Sequence, residues 1–255
     1  MTNTDPLVIV IGAGASKEVK LPIGSELTKT IAESLDFKVD HFGRLAGGDD
    51  RIRECVYKLA QSQDNSHGTA DDYYRAALRI REAMPLAPSI DNFIDSHRTD
   101  KKVAQIGKVA IAACILKAEK DSSLFVDRSN SYNKPDFTQL RGTWFSELFS
   151  LVSQHCSRDE LEARLSRLTI ISFNYDRCFK QFLRNAILTY YAISQSDADG
   201  IVSKVSVLHP YGSVGWMRFE TGGPGTDFGE QPMSDDLLRS AAAIKTFTES
   251  TDDGA

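Results

Sequence analysis

The run LVIVI at Leu7–Ile11 is followed at once by GAGAS at Gly12–Ser16. A short run of five apolar residues, most of them β-branched, predicts a strand that is buried on both faces, as in a parallel sheet. The glycines predict a turn, and a helix follows with Pro22 near its start. Its apolar stripe is Ile23, Leu27, Ile31 and Leu35. We therefore expect an α/β fold with a Rossmann-like parallel sheet and helices on both faces.

The glycine loop is also the first candidate ligand site. Glycine lets the backbone approach a ligand closely, and a helix N-terminus offers N–H groups to a pyrophosphate. The candidate cofactor-binding residues here are Gly12, Ala13, Gly14, Ala15 and Ser16. A tight turn without a ligand is the structural alternative. Lys17 stands where dehydrogenases have a third glycine or alanine, and no convincing strand ending in Asp or Glu follows about 20 residues later. Both departures argue against an ordinary dehydrogenase.

Two further apolar runs end in polar residues. Leu168–Phe173 predicts a second buried strand, and Val205–Leu208 predicts a third. The candidate site residues are Ser172, Asn174, Tyr175 and Asp176 at the end of the second strand, and His209, Gly212 and Ser213 after the third. The carboxyl ends of parallel strands face the crevice in which such sheets bind ligands, and a histidine can act as a base near neutral pH. The structural alternatives are a helix cap for Asp176, a turn for Asn174 and a structural histidine.

The chain between the first two strands changes character. Residues 38–156 carry helical spacing behind possible caps, so we expect a mostly helical insertion there. The predicted helix starts lie at Asp49 or Asp50, Thr69, Ser89 and Pro135-Asp136, and a further helix is marked by Val103, Ile106, Ala110 and Cys114. Ser157 and Glu160 form a capping box before the second strand. We expect a single domain, with its core in residues 7–37 and 157–216. The polar tail, residues 217–255, carries one predicted helix around Asp235–Phe247.

The bulk composition narrows the function classes. The 255 residues carry a net charge of −5, which favours neither nucleic acid nor an anionic membrane as a partner. The longest apolar stretches, such as Val109–Leu116, are much shorter than the roughly 20 residues that a membrane span needs. The four cysteines are scattered and form no CxxC pair, so we expect no zinc site. Scattered single cysteines are typical of a reducing compartment, and we therefore expect a cytoplasmic location.

Together, GAGAS, SFNYD and LHPYGS resemble the glycine loop, the strand-end Asn-x-Asp and the His-Gly-Ser segment of the sirtuin family. The resemblance covers about residues 7–35 and 168–216, and it is closest to the bacterial sirtuin-like NADases of anti-phage defence. Two features depart from the family. The zinc module of the protein-deacylating sirtuins is absent, and the HPYGS spacing allows either His209 or Tyr211 at the catalytic histidine position. We choose His209, because a phenol is a poor base at neutral pH.

The resemblance implies an NAD⁺ hydrolase that releases nicotinamide and ADP-ribose, with NAD as its substrate and no metal. It further implies catalytic roles for Asn174, His209 and Asp176, and a dinucleotide over the glycine loop. As an NAD-depleting defence effector, the chain would act as a homo-oligomer or beside a sensor such as a ring-shaped ATPase, and residues 38–156 are the expected docking surface. The alternatives are an NAD-dependent protein deacylase and a non-catalytic sensor of NAD or ADP-ribose.

Overall fold

The computed structural model of the chain describes residues 6–38, 46–61, 69–127, 129 and 133–246. In chain order, the elements in these residues are β1 (Leu7–Ile11), α1 (Ala13–Lys17), α2 (Gly24–Ser34), α3 (Asp50–Gln61), α4 (Ala70–Ala83), α5 (Ile90–Ser96), α6 (Lys101–Asp121), α7 (Trp144–Ser153), α8 (Arg158–Leu165), β2 (Leu168–Ser172), α9 (Cys178–Tyr190), α10 (Gln195–Ser203), β3 (Ser206–Leu208) and α11 (Ser234–Ala242). A short 3-10 helix at Phe137–Leu140 precedes α7. The predicted α/β class is thus confirmed, whereas Phe247, at the end of the last predicted helix, lies outside the described residues.

The chain folds into two compact units. The first unit contains the chain up to Leu21, Ala118–Pro210 and Trp216–Gly229. The second unit contains Pro22–Lys117, Tyr211–Gly215 and the chain from Glu230 onward. The predicted helical insertion, residues 38–156, is therefore shared between the two units and does not form a separate body.

The first unit is built on a three-stranded parallel sheet in the order β1-β2-β3. The register pairs Ile11 with Ser172 and Ile171 with Leu208, so the carboxyl ends of the three strands lie at the same edge. The chain leaves this edge at Gly12, at Phe173 and at His209. The parallel sheet that the three apolar runs predict is confirmed, and all three candidate segments follow its strand ends.

The two faces of this sheet differ in burial. Ile11, Leu168 and Ile170 are buried in the core of the first unit, together with apolar residues of α7, α8 and α9. On the opposite face, Val8 is 56% exposed and Val10 is 62% exposed. The prediction that the first strand is buried on both faces is therefore wrong. An unbroken apolar run does not reveal which of its faces is covered, and in the structure the side chains of Val8 and Val10 reach solvent.

Most local signals in the sequence correspond to observed elements. Ser157 and Glu160 form the predicted capping box of α8, and Ser89 caps α5 by accepting a hydrogen bond from the Asn92 backbone. The helix α10, between α9 and β3, was not predicted. Its own signal was present, because Ser194 caps it by accepting a hydrogen bond from the backbone N–H of Asp197.

The second unit is helical. In it, α3 packs against both α4 and α11, and α2 packs against α4 and α5. Tyr73 of α4 is fully buried, and its hydroxyl lies 3.0 Å from Oε1 of Gln105. The apolar stretch Val109–Leu116 of α6 is buried as well. None of the described helices is long and apolar enough to cross a membrane.

A buried ion pair holds the first unit together at the start of α9. Arg177 directly precedes this helix, and its Nη2 lies 2.6 Å from Oε2 of Glu119 near the end of α6. The Glu119 side chain is 0% exposed and that of Arg177 is 3% exposed. The Arg177 backbone N–H and Nε also donate to Oε1 of Glu119. Such a pair is stabilising only while both charges are present, because a single buried charge is strongly disfavoured.

The Glu119→Gln substitution should therefore destabilise the protein by about 3 kcal/mol, since it leaves the Arg177 guanidinium buried without a counter-charge. The matched control is Glu162→Gln, which breaks the exposed 2.7 Å pair between Glu162 and Lys204 and should cost less than about 1 kcal/mol. Urea unfolding of both variants measures the two free energies. Equal costs would mean that the buried pair contributes no more than a surface pair.

Candidate active site

Asn174 connects the ends of the first two strands. It is buried, and its side-chain nitrogen lies 3.0 Å from the carbonyl oxygen of Gly12 and 2.9 Å from Oγ of Ser16. Both acceptors belong to the glycine loop, so the two amide hydrogens are directed into that loop. The backbone N–H of Asn174 donates to Oγ of Ser172 at 3.2 Å, which fixes the turn after β2. The amide oxygen of Asn174 is then the side-chain atom that can accept a hydrogen bond from a ligand.

His209 connects the third strand to the same residue. Its Nδ1 lies 3.0 Å from the backbone oxygen of Asn174. Since a carbonyl oxygen only accepts, this contact places the hydrogen on Nδ1 and leaves the lone pair on Nε2. Burial lowers the pKa of the His209 imidazole below its ordinary value of about 6.5, and the hydrogen bond to Asn174 opposes this shift. His209 is therefore neutral at pH 7, with Nε2 able to accept a proton.

Asp176 faces the protein interior. Its Oδ1 accepts a hydrogen bond from the backbone N–H of Cys178 at 3.0 Å, and its carboxylate also accepts one from the Ser16 hydroxyl. Burial raises the pKa of the Asp176 carboxyl, and these two hydrogen bonds partly offset that rise. The N-cap residue of α9 is Arg177, and no side chain caps that helix, so the contact with Cys178 is not the N-cap interaction that the sequence left open. Asp176 thus fixes Ser16, which in turn accepts from Asn174.

The glycine loop is exposed where a ligand would have to approach. A Cβ atom built at Gly12 or Gly14 meets no other atom within 4 Å, and neither residue has a positive φ. Neither the backbone conformation nor the packing therefore requires glycine at these positions. Ala13 is exposed as well, whereas Ser16 is buried beneath the loop. The carbonyl oxygen of Ala15 accepts a hydrogen bond from Nε1 of Trp144 at 3.0 Å, which anchors the loop to α7.

The remaining candidates are divided between the two units. Ser172 and Tyr175 are both buried beside Asn174 in the chain. Gly212, Ser213 and Tyr211 belong to the second unit. There, Gly212 has a φ of +70°, and a Cβ atom on it would lie 1.9 Å from the carbonyl oxygen of Ala243. Packing within the second unit thus requires glycine at this position without any ligand, and Ser213 hydrogen-bonds locally to Gly215.

Three charged residues that follow the strands in the chain were not among the residues predicted from the sequence. Arg177 directly follows Asp176, Lys180 lies one turn further along α9, and Glu220 forms an ion pair with Lys180. The charges of Lys180 and Glu220 act on the pKa of His209 in opposite directions. Local sequence patterns could not identify this pair, since its members are 40 residues apart.

A groove of the first unit lies between α7 and α9. Its volume is about 770 Å³, and it is walled by the aromatic rings of Phe137, Phe149, Phe182 and Tyr190. Glu147 is the charged residue in its lining. The groove contains none of the residues at the strand ends, so its apolar walls offer less chemistry than the network around Asn174.

The cysteines and the acidic residues do not assemble into a metal site in the described part of the chain. All four cysteines are buried and unpaired with one another, and burial raises the pKa of the Cys178 thiol beside Asp176. Among the described residues, no three His, Cys, Asp or Glu side chains come together in a way that could hold a metal ion.

No protein-family model matches the chain, and no curated protein or solved structure matches it either. The features that point to a function are therefore the three motifs and the hydrogen bonds that link Asn174 to the glycine loop and to His209.

Proposed function

We propose that the chain is an NAD⁺ hydrolase that releases nicotinamide and ADP-ribose. The observation that carries this proposal is the position of Asn174, whose side chain bonds to the glycine loop and whose carbonyl oxygen bonds to His209. A phosphate-binding loop, a ribose-orienting amide and a neutral base would then lie at one edge of a parallel sheet, as in a Rossmann-like dinucleotide site.

The reaction needs only a few groups. When the bond between nicotinamide and ribose breaks, its electron pair stays on the ring nitrogen and the ribose carbon develops oxocarbenium character. A water molecule then bonds to that carbon and must lose a proton. The amide oxygen of Asn174 would orient the ribose or this water, and Nε2 of His209 would accept the proton. Asp176 would act as a positioning residue, since its hydrogen bonds go to Ser16 and Cys178.

The biological setting is proposed from the sequence resemblance alone. An NAD-depleting enzyme of anti-phage defence would have to be nearly inactive until triggered, because free activity would drain the cell that makes it. Control would then come through a homo-oligomer or a sensor partner such as a ring-shaped ATPase.

Asn174→Ala and His209→Ala should each lower nicotinamide release by a factor of about 100 or more, the usual effect of removing a positioned catalytic group. The assay is chromatography of NAD⁺ incubated with purified protein and no acylated peptide. His155→Asn is the matched control, because His155 is an exposed histidine whose φ of +49° asparagine tolerates. Full activity in both active-site variants would refute the assignment, and a strict need for an acyl-lysine peptide would favour a deacylase.

Gly14→Ala should separate ligand binding from folding. The added Cβ has open space and alanine favours a helix, so thermal stability should stay equal or rise slightly. The same methyl group would obstruct a pyrophosphate above the loop, and NAD⁺ affinity measured by calorimetry should fall at least about tenfold. Gly200→Ala in α10 is the control, since it has equal space and lies in a helix outside the site. Unchanged affinity in a folded Gly14→Ala protein would place the dinucleotide elsewhere.

The pH dependence of kcat/KM should identify the base. Protonation of His209 removes the lone pair on Nε2, and burial lowers the pKa of this imidazole, so the acidic loss of activity should have its midpoint below pH 6.5. A midpoint above 6.5 would contradict the role of a buried neutral histidine.

A further inference from the structure

The loop Trp216–Gly229, which belongs to the first unit, is fastened to the start of α9 by Arg177. Nη1 of Arg177 donates to the carbonyl oxygen of Trp216 at 3.2 Å and to Thr226 at both its carbonyl oxygen, 3.1 Å, and its Oγ1, 2.9 Å. The backbone N–H of Gly229 lies 3.4 Å from Oε2 of Glu119. The buried ion pair thus fixes both ends of the loop.

The indole ring of Trp216 is held in place within this loop. A Cβ atom at Gly222 would lie 2.5 Å from Cε2 of the ring, and one at Gly223 would lie 3.1 Å from Cδ1, so the two glycines allow the backbone to pack directly against it. Nζ of Lys180 lies 5.8 Å from the ring centroid. Trp216 is nevertheless 47% exposed. A single exposed aromatic residue is unremarkable in itself, but here several contacts fix a ring that solvent still reaches.

The two basic residues that contact Trp216 lie at the start of α9, shortly after the end of β2. Arg177 directly follows Asp176, and Lys180 lies one turn further along α9. Lys180 is paired with Glu220, which also accepts a hydrogen bond from the backbone N–H of Met217 at 2.7 Å, so its charge is compensated. Lys180, whose Nζ lies 5.8 Å from the ring centroid, is also near enough to His209 for its charge to act on the pKa of that imidazole, so Trp216 and His209 share this neighbour.

We infer that the Trp216 indole is a stacking surface for the nicotinamide ring of NAD⁺, an inference that rests on the proposed hydrolase function. The oxidised nicotinamide is a cationic pyridinium, and tryptophan is the side chain that attracts a cation over its ring most strongly. Reduced NADH carries a neutral ring and lacks this attraction. Trp216 thus determines specificity for the oxidised cofactor.

The role predicts a split between KM and kcat. The pyridinium loses its positive charge when the bond to the ribose breaks, because the bonding electron pair returns to the ring nitrogen. The attraction to Trp216 is therefore greatest in the bound substrate and weakens toward the transition state. Removing the indole should raise KM while kcat stays equal or increases, whereas a general loss of structure would lower kcat.

Trp216→Leu, which keeps an apolar side chain without a π system, should raise the KM for NAD⁺ about tenfold. Trp216→Phe, which keeps a weaker ring, should give an intermediate KM. Tyr190→Leu is the control, because Tyr190 is an exposed aromatic residue at the far end of α9 and should leave KM unchanged. An unchanged KM in Trp216→Leu, with wild-type turnover intact, would overturn the stacking role and leave the hydrolase assignment standing.

Tryptophan fluorescence provides a second test that does not depend on turnover. In His209→Ala protein, NAD⁺ and nicotinamide mononucleotide should quench the emission more strongly than ADP-ribose, which lacks the pyridinium and would reach only Trp144, bonded to Ala15 of the glycine loop. Adding Trp216→Phe leaves Trp144 as the remaining tryptophan and should abolish this difference. Equal quenching by ADP-ribose would contradict stacking on nicotinamide. A wild-type protein that neither binds nor cleaves NAD⁺ would overturn the hydrolase proposal and this inference together.

Discussion

The side-chain amide of Asn174 is the group on which the candidate site depends. It donates hydrogen bonds to Gly12 and Ser16 in the loop after β1. The backbone carbonyl oxygen of Asn174 accepts a hydrogen bond from His209, which follows β3. A buried amide whose hydrogens are both bonded has one orientation, so the atoms around it are fixed before any ligand arrives. Preorganisation of this kind is what a dinucleotide site requires.

Burial gives the polar residues of this network different properties. It lowers the pKa of His209, so that the imidazole is a neutral base, and raises the pKa of Asp176, whose carboxyl group is held by Ser16 and Cys178. Arg177, next in the chain, keeps its charge because Glu119 is buried with it. Within the four consecutive residues Asn174 to Arg177, Asn174 thus hydrogen-bonds to the glycine loop and to His209 after β3. Arg177 bonds to α6 and to the loop Trp216–Gly229.

Local patterns in the sequence predicted much of this fold. The three apolar runs became the three parallel strands, and Ser89, Ser157 and Glu160 cap the helices that they predict. These signals depend on neighbours in the chain, which a sequence displays directly. Asn174 and His209 were each predicted to follow the carboxyl end of a parallel strand, where such sheets bind ligands.

What the sequence could not predict depends on contacts between distant residues. The run Leu7–Ile11 shows no difference between its covered and its exposed face, and so the exposure of Val8 and Val10 was missed. The packing that requires glycine at position 212 comes from Ala243, which is far from it in the chain and which no local pattern reveals. The partners of Arg177 lie 39 to 58 residues away in the chain, so no local pattern could assign it to the site.

Hydrogen–deuterium exchange of the His209→Ala protein, with and without NAD⁺, tests the central claim most directly, because it locates the ligand without relying on turnover. Our account predicts that NAD⁺ slows exchange together in the peptides that contain Gly12–Ser16 and Asn174–Asp176. Ligand-induced protection confined to the groove between α7 and α9, or no protection at either strand end, would contradict the account.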